Sequence, residues 1–119
     1  MMCADRVFVY GSLRRGGTNH RFLKGGRLLG GHRTEPHFRM LNLGRFPGVV
    51  QPGTTAIIGE VYGVNRRVLA ALDVLEDYPR SYTRSRIATP WGDAWIYLYL
   101  AGRQRFPEIA GGDWLPSVV

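Results

Sequence analysis

The apolar positions of residues 65–76 recur with the spacing of one helical face. At about 100° per residue these positions fall on one stripe, which predicts an amphipathic helix packed against a core. The stripe consists of Val68, Leu69, Leu72 and Leu75. Glu76 lies in the same stripe, four positions after Leu72, although the solvent face of the helix has room for acidic residues.

The position of Glu76 predicts an unusual carboxyl group. A carboxylate among apolar side chains loses solvation, and in the last helical turn it also meets the negative end of the helix dipole. Both effects raise its pKa towards neutrality, so Glu76 is a candidate general base and acid. A structural interpretation stays open, because Tyr78-Pro79 ends the helix and a last-turn glutamate can turn to water or pair with an arginine.

Runs of β-branched and aromatic residues predict strands elsewhere in the chain. Val7–Tyr10 reads as a buried first strand. Residues 56–62 form another, and Gly59 inside it predicts a bulge or a close backbone approach. Residues 82–89 and 94–100 flank a turn and predict a hairpin. The last strand carries bulky side chains on both faces, so we expect both faces to be covered.

The remaining segments are less regular. Thr18 or Asn19 is a candidate cap for a short helix that runs to about Lys24. Glycine pairs at 25–26 and 30–31 bracket a short predicted segment, and residues from about 32 to 43 are predicted to be extended. Residues 44–48 predict a turn. Together, the predicted strands and helices indicate an α+β fold with a curved, largely antiparallel sheet or a small β-barrel.

Length and composition favour one soluble domain over residues 1–119, with 45% apolar residues. No segment approaches the roughly 20 apolar residues of a membrane span, and the N-terminus lacks a signal-like apolar run, so we expect a cytoplasmic protein. The only cysteine, Cys3, excludes an internal disulfide and a cysteine-based zinc cluster. The three histidines lack metal-ligand spacing, so we expect no metal.

The net charge of +7 raises the question of nucleic acid. The positive charges are nearly all arginines, they are scattered, and no nucleic-acid-binding module is recognised. We therefore expect no nucleic-acid partner and keep that function as the least favoured alternative. A basic surface also attracts small anionic substrates.

A sharp exit from the first strand is a second candidate site. Tyr10, Gly11, Ser12 and Leu13 leave the strand with a glycine that lets the backbone approach a ligand. Consecutive backbone N–H groups in such a bend form an anion-binding concavity, although a plain turn has the same composition. The spacing fits neither a P-loop nor a Gly-x-Ser-x-Gly hydrolase. Glu60, within a strand, is the only serious rival to Glu76 as a catalytic carboxylate.

Six short blocks together resemble the gamma-glutamylcyclotransferase-like family. They follow the order of that family, cover nearly the whole chain, and are closest to its small bacterial members and to the gamma-glutamylamine cyclotransferases. The blocks are residues 7–19, 45–50, 59–62, 72–76, 82–84 and 112–114. Some small bacterial relatives lose the catalytic glutamate, whereas this chain keeps it.

The resemblance implies a compact β-barrel flanked by helices and a reaction without metal or cofactor. A gamma-glutamyl amide cyclises to 5-oxoproline and releases an amine, with Glu76 as the catalytic residue. Substrate binding falls on Tyr10, Gly11, Ser12, Leu13 and Tyr82, and Arg84 is a further candidate for the pocket wall.

The expected partner is a small gamma-glutamyl substrate, and the expected state is a monomer or a weak homodimer. The main alternative is a non-catalytic binding protein on the same scaffold, in which Glu76 recognises an amine. The leaving amine itself stays open between an amino acid, a lysine side chain, a polyamine and an antibiotic intermediate.

Overall fold

A five-stranded sheet, a two-stranded sheet and one α-helix make up the architecture. The computed structural model describes residues 5–100 and 105–114, and Cys3 lies outside them. The strands are β1 Asp5–Val9, β2 Arg27–Arg33, β3 Phe38–Asn42, β4 Pro47–Thr55, β5 Ile58–Val64, β6 Tyr82–Ile87 and β7 Ala94–Tyr99. The α-helix, α1, spans Arg66–Leu75, and a 3₁₀ helix spans His20–Leu23.

The large sheet has the strand order β2-β5-β1-β7-β6. Its pairs are antiparallel except β1 with β7, where Val7 lies opposite Trp95 in a parallel register. β3 and β4 form a separate antiparallel hairpin. The predicted α+β class and the predicted mostly antiparallel sheet are therefore confirmed.

The predicted closure into a barrel is wrong. Within the described residues, β2 and β6 are free edges of the large sheet. Across the same residues, β3 and β4 pair with no strand of that sheet, and β3 makes one further isolated bridge, between Leu41 and Glu108. A barrel needs a continuous ladder around its circumference. β4 carries Pro47 and Pro52, which lack the backbone N–H that a ladder requires. Strand number and composition did not reveal this interruption.

The three central strands of the large sheet, β5, β1 and β7, are covered on both faces. One face packs against α1 and the 3₁₀ helix through a cluster that includes Val7, Tyr62 and Leu72. The other face packs against the β3–β4 hairpin through a cluster that includes Phe8 and Met40. The two-sided burial predicted for the last strand is confirmed, because successive β7 residues enter the two clusters in alternation.

Helix α1 forms as its sequence pattern predicts. The Asn65 side chain accepts a hydrogen bond from the Val68 N–H at 2.9 Å, which satisfies one of the free N–H groups of the first turn. The apolar stripe faces the core, with Leu72 fully buried. The helix ends at Leu75, so Glu76 is the C-terminal cap residue rather than the last helical residue.

Other elements confirm or correct the sequence-based expectations. β6 and β7 form the predicted hairpin. The close approach predicted at Gly59 is confirmed, because a methyl group built there would lie 2.3 Å from the Val9 carbonyl oxygen. Two expectations are wrong in detail: the glycine pair at 30–31 lies inside β2, and Asn19 precedes the 3₁₀ helix without a side-chain cap. Across the described residues, α1 is too short to cross a bilayer.

Candidate active site

A cavity of about 140 Å³ lies where the end of α1, the exit of β1 and the start of β4 meet. The expected catalytic residue and all five expected substrate-binding residues line this cavity: Glu76, Tyr10, Gly11, Ser12, Leu13 and Tyr82. These residues come from three separate parts of the chain. The fold therefore brings the candidate carboxylate and the strand-exit loop together.

Glu76 presents an ionisable group to a largely apolar cavity. Its backbone N–H donates to the Leu72 carbonyl at 2.9 Å, which fixes the residue at the end of α1. Within the described residues, no hydrogen bond or ion pair engages its carboxylate. Burial raises the pKa of Glu76 from 4.5 to about 7. A carboxyl group with this pKa both accepts and releases a proton at neutral pH.

Glu60, the rival carboxylate, occupies a different environment. It accepts hydrogen bonds from the Tyr62 hydroxyl and from the Arg15 backbone N–H, each at 3.0 Å. It does not line the cavity. These hydrogen bonds attach the loop that follows β1 to strand β5, so the role of Glu60 is structural.

The strand-exit loop turns sharply after Tyr10. The Arg14 N–H donates to the Gly11 carbonyl at 3.0 Å, and the Asn19 N–H donates to the Ser12 carbonyl at 2.8 Å. The Asn19 side-chain amide also donates to the Ser12 hydroxyl at 2.9 Å. These bonds engage loop carbonyls, while the N–H groups of Gly11, Ser12 and Leu13 find no acceptor in the described parts of the chain. The loop therefore offers donors to an anion.

Glycine is required at position 11 by close packing. A methyl group built on Gly11 would lie 2.8 Å from Cγ and 2.9 Å from Cδ of Pro47. Contacts this short force one of the two segments to move. Gly11 therefore lets the loop after β1 rest directly on the start of β4.

Two of the three tyrosines that line the cavity, Tyr10 and Tyr82, point their hydroxyls at the backbone. Tyr82 donates to the Pro47 carbonyl at 2.9 Å, and Tyr10 donates to the Tyr97 carbonyl at 2.7 Å. The Tyr10 oxygen also accepts from the Val49 N–H at 3.3 Å. Burial raises the pKa of both phenols well above their ordinary value, so both stay protonated donors. Their rings wall the cavity while their hydroxyls fasten neighbouring strands.

Arg84 does not line the cavity, contrary to the expectation from the sequence. Its Nη2 donates to Asp73 Oδ2 at 3.1 Å, and its guanidinium lies between the rings of Tyr78 and Trp95. Asp73 also accepts from the Tyr97 hydroxyl at 2.7 Å. Arg84 thus fastens the C-terminal half of α1 to the sheet, next to the cavity but outside it.

Seven lining residues were not expected at the site from the sequence. They are Phe8, Val9, Asn19, Phe46, Pro47, Leu75 and Tyr97. Leu75 and Tyr97 were recognised as apolar positions of predicted elements, but their place at the cavity depends on tertiary packing. Phe46 and Pro47 lay within a predicted turn, and no local signal places that turn against the loop after β1.

The cavity contains no arrangement typical of a metal centre. In the ranges 5–100 and 105–114, no three His, Cys, Asp or Glu side chains converge on a common point. Glu76 is the carboxylate among the lining residues of the cavity. The chemistry available there is therefore proton transfer and hydrogen bonding by the side chains and loop amides.

Comparisons with known proteins cover nearly the whole chain. Residues 7–116 match the family model described as gamma-glutamyl cyclotransferase, AIG2-like. A Vibrio cholerae protein that carries a provisional gamma-glutamylcyclotransferase name is 46% identical over 94% of this chain and 96% of its own. The gamma-glutamylcyclotransferase family protein YtfP of Escherichia coli is 39% identical over 92% of this chain and 96% of its own. The crystal structure of an AIG2-like protein from Mus musculus superposes with a TM-score of 0.78 at 25% identity, covering 92% of this chain and 88% of that one.

Proposed function

Because this chain belongs to the gamma-glutamyl cyclotransferase, AIG2-like family, we propose that it cyclises a gamma-glutamyl amine or amide to 5-oxoproline and releases the free amine. Glu76 is the group that moves protons, and the loop of Gly11, Ser12 and Leu13 binds the substrate. The substrate is a small molecule, and no step requires a metal or an organic cofactor.

The reaction closes a ring within one molecule. The α-nitrogen attacks the γ-carbonyl carbon, a new C–N bond forms, and the bond from that carbon to the leaving nitrogen breaks. Ring closure needs no second reactant, so holding the substrate in a folded conformation supplies much of the acceleration. The substrate enters with an α-ammonium of three protons, the lactam nitrogen keeps one, and two protons leave with the released ammonium.

Glu76 transfers the protons that this balance requires. As a carboxylate it accepts one proton from the α-ammonium, which frees the electron pair for attack. As a carboxylic acid it then donates that proton to the departing nitrogen, which would otherwise leave as an unstable anion. The regenerated carboxylate accepts the second proton from the ring nitrogen and passes it to the released amine, which leaves as an ammonium. Burial holds its pKa at about 7, so both protonation states are accessible. General acid–base catalysis of this kind contributes about 10²–10⁴-fold.

The loop after β1 supplies the complementary electrostatics. Negative charge develops on the γ-carbonyl oxygen as the nitrogen attacks, and the substrate also carries a permanent α-carboxylate. The N–H groups of Gly11, Ser12 and Leu13, which have no acceptor among the described residues, are the donors available for these oxygens. Fixed donors in a sheltered site stabilise such charge without reorganising at the moment of reaction.

One observation carries the proposal. The partly buried Glu76 carboxyl group and the strand-exit loop line the same small cavity, although Glu76 lies 63 positions after Leu13 in the sequence. A carboxylate kept for structure is normally hydrogen-bonded or paired, as Glu60 is. Glu76 has neither kind of partner within the described chain, so its environment favours a task at a bound ligand.

Product analysis tests the proposal directly. The purified protein is incubated with a panel of gamma-glutamyl amides, and 5-oxoproline and released amine are quantified. We expect the two products in a 1:1 ratio from at least one substrate. Release of glutamate in place of 5-oxoproline would show hydrolysis instead, and tight binding without any product would favour the non-catalytic alternative.

A further inference from the structure

A larger groove of about 480 Å³ adjoins the cavity. The two depressions share three lining residues, Ser12, Asn19 and Phe46. Beyond these residues, the groove follows the glycine-rich stretch 16–18 and the turn between β3 and β4. A substrate whose γ-carbonyl lies beside Glu76 therefore has a second surface within reach for the part of the molecule beyond the amide nitrogen.

The turn between β3 and β4 has a fixed shape. The Leu43 N–H donates to the Phe46 carbonyl at 3.0 Å, and the Gly44 N–H donates to Oδ1 of Asn42 at 2.8 Å. Gly44 has a φ of 104°, a conformation that glycine adopts without strain. These contacts hold Arg45 and Phe46 at the tip of the hairpin, where both line the groove.

The groove combines an apolar wall with one positive charge. The Phe46 ring is about half exposed, and the stretch 16–18 adds glycine backbone. Arg45 is exposed and makes no ion pair within the described residues. Among the described residues, no aspartate or glutamate lines the groove. An exposed aromatic ring beside an unpaired guanidinium suits a ligand with an apolar body and an anionic group.

We propose that this groove binds the leaving half of the substrate and selects amines that are apolar α-amino acids. Phe46 contacts the apolar side chain of that amino acid, and Arg45 attracts its carboxylate. A diamine or polyamine carries a second positive charge, which Arg45 repels and which no groove carboxylate balances. This inference rests on the proposed function and narrows it to gamma-glutamyl derivatives of apolar amino acids.

Binding to the Glu76→Gln variant separates recognition from turnover. Calorimetry measures the Kd of three gamma-glutamyl ligands: the phenylalanine derivative, its phenylalaninol analogue, in which an uncharged hydroxymethyl group replaces the carboxylate, and the 1,4-diaminobutane derivative. We expect the phenylalanine derivative to bind about two- to fivefold more tightly than the phenylalaninol analogue, as exposed charge pairs do, and the diamine derivative to bind most weakly.

Two further substitutions test the residue assigned to the anion. Adding Arg45→Ala to the Glu76→Gln protein should abolish the difference between acid and alcohol, and Arg45→Glu should make the diamine derivative the better ligand. Arg66→Ala is the matched control, because Arg66 is exposed on α1 and lines neither depression. It removes the same net charge and should preserve the order of affinities.

The outcomes distinguish this inference from the proposed function. Equal Kd values for acid, alcohol and diamine would overturn the groove assignment, while 5-oxoproline formation by the unsubstituted protein would leave the proposed function standing. A loss of discrimination in Arg66→Ala equal to that in Arg45→Ala would also overturn it, because general charge would then explain the preference. No binding of any gamma-glutamyl ligand and no 5-oxoproline would overturn both.

Discussion

Tyr82 donates its hydroxyl hydrogen to the Pro47 carbonyl oxygen at 2.9 Å, joining the first residue of β6 to the first residue of β4. Pro47 in turn lies against Gly11, with room for no more than a hydrogen atom at that glycine. The large sheet, the separate hairpin and the strand-exit loop therefore meet at one proline. The geometry of the loop therefore depends on contacts with residues outside the loop.

Tyr82→Phe should destabilise the protein and weaken substrate binding. The substitution leaves the buried Pro47 carbonyl without its donor, which costs about 1–3 kcal/mol. A loosened Pro47 lets the loop move, so KM should rise more than kcat falls. Urea denaturation and steady-state kinetics measure the two effects. Tyr99→Phe is the control, since the Tyr99 ring packs on Tyr82 while its hydroxyl has no bond to a described residue.

Gly11→Ala should raise KM for gamma-glutamyl substrates. The new methyl group would lie 2.8 Å from Cγ of Pro47, so the loop must shift and its N–H groups lose their alignment. A 1 Å displacement of positioning groups costs on the order of 10²-fold in rate. Gly111→Ala is the matched control, because a methyl group there meets nothing within 4 Å. Unchanged kinetics in a folded Gly11→Ala protein would remove the loop from substrate binding.

The raised pKa of Glu76 predicts a pH dependence of stability. Its folded value is about 7 against an ordinary value of 4.5, so between these values the folded protein holds a proton that the unfolded chain has released. The contribution of Glu76 to the free energy of unfolding is fully present below pH 4.5. It decreases as the pH rises towards 7, by at most about 3 kcal/mol. Urea titrations from pH 4 to 8 should show this slope in the unsubstituted protein and a smaller one in Glu76→Gln. If the two proteins gave parallel curves of unfolding free energy against pH, the Glu76 carboxylate would be solvated in the folded protein.

The sequence predicted the parts of the site that local patterns record. The 3.6-residue period of α1 reflects packing against the core, so it also revealed that Glu76 points inward. The part of the cavity lining that comes from the start of β4 could not be predicted from the sequence. β4 opens with Pro47 and contains Pro52 and Gly53, residues that usually interrupt strands. Its strand character comes from pairing with β3, and its place beside Gly11 comes from long-range packing.

The role of the Arg84 side chain also could not be predicted from the sequence. An arginine on a strand near a tyrosine looks like a pocket residue in sequence, whereas its partner, Asp73, lies on the helix one turn before Asp77. That contact joins elements that are separate in the sequence pattern. Only the packing of α1 on β6 and β7 reveals it.

Arg84→Met should lower stability and activity through the position of α1. The substitution keeps an apolar stem but leaves the partly buried Asp73 without its cation, which should cost about 2 kcal/mol. Because Glu76 follows the same helix, kcat should fall while the pH dependence of kcat/KM keeps its midpoint. Exposed Arg66→Met is the control. A shifted midpoint would mean that Arg84 acts on the ionisation of Glu76 directly.

The kinetics of Glu76→Gln test the central claim most directly. Asp77→Asn is the matched control, since it removes the neighbouring exposed carboxylate and keeps an oxygen for the Ser81 hydroxyl. With a gamma-glutamyl amide that the unsubstituted protein converts, we expect Glu76→Gln to lose about 10²–10⁴-fold in kcat with its cooperative unfolding intact, and Asp77→Asn to stay near the original rate. A folded Glu76→Gln protein that forms 5-oxoproline at close to the original rate would contradict the account.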